Sequence, residues 1–186
     1  MALGDEAAMI QTGTVSRGAQ KWWEPLFAGV RARVLRYATS IFESPVQVVV
    51  FLIGAWFTAN GVIAYGIYPD MAFGGHMQSC TMRFLGFIPV TVNGWHALFH
   101  LLTGMAALAL APFRNRAVGY LYACGPFYLL VAALGFIGGD NVLHMMAVDT
   151  FGSIVHAVEA VIMLAAGTLA TLGERRSFPG TTTVTS

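Results

Sequence analysis

Three stretches without a single Asp, Glu, Lys or Arg dominate this chain: residues 46–68, 93–113 and 117–138. A helix needs roughly 20 apolar residues to cross a hydrocarbon core about 30 Å thick, and each of the three is long enough. A fourth apolar segment lies within residues 141–172. As one helix it would reach about 48 Å at ~1.5 Å per residue, too long for a single crossing. It is therefore expected to break near Asp149, Thr150, Phe151 and Gly152, leaving a short outer helix and a span from about residue 150. Composition agrees: 56% of residues are hydrophobic and 10% charged, against roughly 25% charged in a soluble domain. Mean hydropathy is +0.66. These values exclude a soluble domain, a disordered chain and a disulfide scaffold. The formal net charge of +1 excludes a strongly basic nucleic-acid binder.

The expected fold class is all-α, a four-helix transmembrane bundle preceded by an amphipathic interfacial helix. Residues 1–20 begin with Asp5 and Glu6 and hold no apolar core behind a basic stretch, so they read as a disordered cytoplasmic tail without a cleavable signal. In residues 21–43, Trp23, Leu26, Phe27, Val30, Val34, Tyr37 and Ile41 share one helical face, while Lys21, Arg31, Arg33 and Arg36 lie off it. That is the pattern of a helix lying in the headgroup plane. Residues 44–172 form the membrane domain and residues 173–186 a second cytoplasmic tail. Nine of the ten Lys and Arg residues then fall on one side, with Arg83 alone on the other. The positive-inside rule puts both termini in the cytoplasm of a multi-pass protein of a bacterial plasma membrane.

The histidines are the main chemical clue, because ionisable groups inside a membrane are costly. His96 and His100 stand at i and i+4, and Asn93 shares their face. Asp140 and His144 repeat that spacing near the start of the last apolar segment. Such i, i+4 pairs serve as metal ligands, although Asn93 and Asp140 also sit where helix N-caps belong. Asp149, His156 and Glu159 share another face and form a candidate buried polar or proton site. The loop carrying Met71, His76, Met77, Cys80 and Met82 has soft ligands suited to copper. Cys80 and Cys124 lie too far apart along the topology to be bridged.

Helix depth decides which histidines can meet. From Asn93, His96 and His100 lie about 4.5 and 10.5 Å inward. A helix starting at Asp140 would place His144 between those depths. A span starting near Thr150 would instead carry His156 about 9 Å inward, level with His100. The first arrangement is preferred: His96, His100, His144 and Asp140 share one outer-leaflet site, with His156 and Glu159 below it.

Asn93, His96 and His100 in the second apolar stretch, and Asp140, Asn141 and His144 at the start of the last, resemble motifs of the bacterial four-span family DUF4383. The resemblance covers about residues 46–172 and implies the four-span fold but no activity. No P-loop, dinucleotide fingerprint or hydrolase triad is present, so the first expectation is a non-enzymatic membrane protein, an accessory subunit of a larger complex or a homo-oligomer. Its partners are the lipid bilayer and other membrane subunits. The alternatives are a Zn, Cu or haem protein using His96, His100 and His144, and a proton-coupled carrier using His156 and Glu159.

Overall fold

The computed structural model describes residues 23–84, 86–139 and 141–177. Its elements are five helices, α1 (Glu24–Ile41), α2 (Pro45–Ile67), α3 (Gly94–Leu110), α4 (Arg114–Gly138) and α5 (Thr150–Ser177), with one hairpin, β1 (Cys80–Phe84) and β2 (Ile88–Val92). The fold is all-α apart from that hairpin. The expected tail at residues 1–20, and Asp140, lie outside the described residues.

Of the described residues, those from Trp23 to Leu35 belong to one compact unit and those from Arg36 onward to a second. In the first, the α1 stripe residues Leu26, Phe27, Val30 and Val34 are all at least half exposed.

Within the second unit, α2, α4 and residues 150–173 of α5 are long and apolar enough to cross a membrane. α3 has 17 residues, about 26 Å of rise. It stops at Leu110, three residues before the end expected from the sequence. Pro112 has no N–H to continue the helical hydrogen bonds, and its ring clashes with the carbonyl one turn back.

The helices pack as two close pairs, α2 on α3 and α4 on α5. Small residues set the first spacing: a Cβ on Gly61 would lie 2.6 Å from the Leu101 nitrogen and 2.8 Å from the Ala97 carbonyl. Only a residue without a side chain lets the two backbones approach this closely. Phe57 of α2 stacks on Tyr128 of α4, 4.6 Å between ring centroids, and joins the pairs.

Two features depart from the sequence reading. Part of the loop between α2 and α3 is the antiparallel hairpin, with Cys80 opposite Val92 and Phe84 opposite Ile88. Its β-branched Thr81, Val90, Thr91 and Val92 suit a strand, and Gly86 turns it with φ of 82°. The second departure is at residues 141–149, where no outer helix forms. Val142 and Met146 make an isolated bridge, and the intervening Leu143 and His144 are left-handed, with φ of 56° and 52°. α5 begins at Thr150 because Asp149 caps it, its Oδ1 accepting from the Gly152 amide at 2.7 Å.

A candidate metal centre

The polar site is built on the N-terminal turns of α3. Asn93 is fully buried, and its Oδ1 accepts from the His96 amide at 3.1 Å, the N-cap bond. The same oxygen accepts from the Ala147 amide at 3.2 Å. Its Nδ2 donates to the Met145 carbonyl at 2.8 Å. Asn93 thus fastens the 145–147 loop beside α3 and aims the Ala147 carbonyl at the His96 ring. Asp149 fastens the other side, its Oδ2 accepting from the Thr91 amide of β2 at 2.6 Å.

Three imidazoles converge on this frame. His96 and His100 lie one turn apart on α3, and His156 enters from α5. All three are buried, at 4%, 8% and 3% exposure. The His96 Nε2 lies 3.0 Å from the His100 Nε2 and 3.3 Å from the His156 Nε2. One ligand atom from each lies within 4.8 Å of the others, the one such group of three metal-capable residues among the described residues. Phe57 and Tyr128 wall the cluster, with ring centroids 5.1 Å from His100 and 5.2 Å from His156 respectively.

Hydrogen bonding fixes which nitrogen of two rings carries the proton. The His96 Nδ1 lies 2.7 Å from the Ala147 carbonyl. A carbonyl only accepts, so Nδ1 is the donor and a neutral ring presents a lone pair at Nε2. The His156 Nδ1 lies 2.9 Å from Glu159 Oε2, while the indole of Trp56 donates to Glu159 Oε1 at 2.9 Å. When Glu159 is ionised it accepts on both oxygens, so a neutral His156 also donates through Nδ1 and presents its Nε2 lone pair. Two lone pairs therefore face one another 3.3 Å apart. They repel unless something electron-poor meets them, and the one N–H of His100, whose Nε2 is 3.0 Å from the His96 Nε2, can serve only one of the two. Two nitrogens bound at ~2.0–2.1 Å to a tetrahedral ion would be about 3.3 Å apart.

Against the sequence reading, His96 and His100 meet as expected, but their third neighbour is His156 rather than His144. This is the arrangement that follows from a helix starting at Thr150. His144 is exposed on its turn, with its Nδ1 3.0 Å from the Asn141 amide nitrogen. His156 and Glu159 do pair, whereas Asp149 is occupied as the α5 cap. His76 is exposed, and Cys80 is half-buried on β1 and not disulfide-bonded. Trp56, Tyr128 and the Ala147 carbonyl escaped the sequence reading because each acts from an element distant in the chain.

A cavity of about 140 Å³ opens against the three imidazoles and Glu159, between α2, α5 and the hairpin.

The architecture and site together define a helical protein with membrane-crossing helices and a buried histidine cluster. The chain belongs to the family described as Domain of unknown function (DUF4383), whose model matches residues 47–169. No curated protein and no solved structure matches it.

Proposed function

We propose that this is a four-span membrane protein that binds a divalent first-row metal ion, zinc or copper, on His96, His100 and His156. The observation that carries the reading is the convergence of the His96 and His156 Nε2 lone pairs, each forced by a Nδ1–H already donated elsewhere. Metal-bound histidines use this pattern, one nitrogen on the metal and the other donating to a carbonyl or carboxylate. Imidazole suits zinc, copper, iron and nickel. A three-histidine set leaves a fourth position for water or a ligand, and the cavity against the rings is where that ligand would stand. A haem suits the site less well: its macrocycle is drug-sized, and pockets of that class run to roughly 300–1,000 Å³.

The four-span topology counts α3 with α2, α4 and α5. Arg114 and Arg116 at the α3–α4 turn support placing that end, with both termini, in the cytoplasm. The apolar stripe of α1 supports a helix lying at a membrane surface. A role as an accessory subunit remains compatible with a bound metal.

The test is elemental analysis of the full chain purified in mild detergent, beside a His96→Ala variant. One zinc or copper per chain, lost in the variant, is expected. Visible ligand-field bands on cobalt substitution should follow the same pattern. A well-folded protein with no more metal than the variant would leave the cluster as a hydrogen-bonded lock. For topology, a reporter after Ser186 or at Asn115 should read cytoplasmic and one near Gly75 external; an external C-terminus overturns the four-span arrangement.

A further inference from the structure

We infer that the cavity beside the histidines takes the hydroxylated ring of an amphiphile dissolved in the lipid, a phenol or quinol with an apolar tail. This rests on the membrane-embedded reading; when a metal holds the imidazole lone pairs, Glu159 is the acceptor that remains for the ring O–H.

Size sets the first limit. A volume of about 140 Å³ is close to the ~150 Å³ apolar cavity that admits benzene, so one six-membered ring fits and a fused ring system does not. The walls supply the second. Met82, Ile88 and Val90 of the hairpin and Val155 of α5 are apolar, while Trp56 and Phe151 stand at the surface, 44% and 37% exposed. The cavity therefore opens on the flank between α2 and α5. Both helices are long and apolar enough to cross a membrane, so an occupant arrives from lipid.

The polar end decides the chemistry. The Trp56 indole N–H is given to Glu159, and the Nδ1–H groups of His96 and His156 go to Ala147 and Glu159. The Asn60 amide donates to the Trp56 carbonyl at 2.7 Å. What His96, His156, Asn60 and Glu159 leave over are chiefly acceptors, namely imidazole lone pairs, an amide oxygen and carboxylate oxygens, beside the second Asn60 N–H and the one N–H of His100. An occupant that lacks a donor would leave buried acceptors unpaired, which is costly. A neutral ring O–H supplies the donor, with Glu159 as its first acceptor, and still partitions into lipid. An ammonium would also donate, but apolar walls disfavour it.

The test uses the full chain in detergent and three probes of matched tail: 4-decylphenol, its methyl ether and decylammonium. Equilibrium binding is measured for wild type and for Val155→Trp, which fills the cavity and leaves all three histidines in place. The expected result is saturable binding of the phenol, at least tenfold tighter than that of either other probe and at least tenfold weakened by Val155→Trp. Metal content, measured on the same samples, should be the same in both proteins and reports separately on the metal reading. Equal binding of phenol and ether, tighter binding of decylammonium, or phenol binding undiminished in a folded Val155→Trp protein would each overturn the inference. A second plug from the hairpin wall of the same cavity, Met82→Trp, guards against a folding failure of the first.

Discussion

Gln47 and the three histidines are both buried polar groups among apolar helices, and they differ in how their hydrogen bonds close. Gln47, near the start of α2, is 1% exposed. Its Nε2 donates to the Ser40 and Pro112 carbonyls, both at 2.8 Å, and its Oε1 accepts from the Ser44 hydroxyl at 2.7 Å. Donors and acceptors balance, so the group is complete without a ligand and ties the α1–α2 and α3–α4 turns together. The histidine cluster, at the other end of α3, has the Nδ1–H groups of His96 and His156 committed outward and their Nε2 lone pairs turned inward, while the buried His100 Nδ1 has no partner. A buried group costs free energy unless it is paired. A satisfied group is explained by folding alone, whereas a surplus of acceptors calls for an electron-poor guest.

The largest expected effect separates the two regions directly. His96→Ala removes the ring that meets both others, and zinc affinity should fall more than ~100-fold, beyond the range for losing a supporting residue. Gln47→Ala should leave zinc affinity unchanged while lowering stability by about 2–3 kcal/mol, because two carbonyls and a hydroxyl lose a buried partner. Competition with a chelating dye and thermal unfolding in detergent give the two readings. Metal loss from Gln47→Ala without unfolding would erase the distinction.

Glu159 gives an intermediate effect. Glu159→Leu removes the acceptor that holds the His156 Nδ1–H and should weaken zinc binding by roughly 10–100-fold. Glu159→Gln keeps an acceptor oxygen, so it should be tolerated better, near the lower end of that range. Equal loss in both would mean that the carboxylate charge, rather than its acceptor geometry, holds the metal. Unchanged affinity in both would remove Glu159 from the site.

What the sequence made legible follows from periodicity. The apolar stretches located α2 and α4 within a few residues, and excess length placed the break at Asp149. The i, i+4 spacing brought His96 and His100 together, because both lie on one helix. The identity of the third histidine was not decidable from spacing. It depends on whether residues 141–149 are helical, and that is settled by tertiary contacts: Asn93 holding Met145 and Ala147, and Asp149 spending one oxygen on Thr91. Local pattern cannot report a loop that is anchored by hydrogen bonds to distant elements. The hairpin was hidden for a similar reason, since five-residue strands give a weak alternation signal.

His144→Asn carries the smallest expected effect and bears most directly on which histidine completes the cluster. His144 sits with φ of 52° beside Leu143 at 56°, and the Met145 amide donates to the Val142 carbonyl across them at 3.1 Å. This is a tight turn with both central residues left-handed, a geometry that favours Asn and Gly. Placing an ordinary side chain there costs about 1–2 kcal/mol, and Asn relieves part of that. The substitution also gives up the exposed 3.0 Å contact with Asn141, worth about 0.5–1.5 kcal/mol. The two nearly cancel, so stability should move by no more than about 1 kcal/mol. Zinc affinity should not move, because no ring nitrogen of His144 reaches the converging Nε2 atoms. A folded His144→Asn protein that loses its metal would return His144 to the coordination sphere and displace His156 from it.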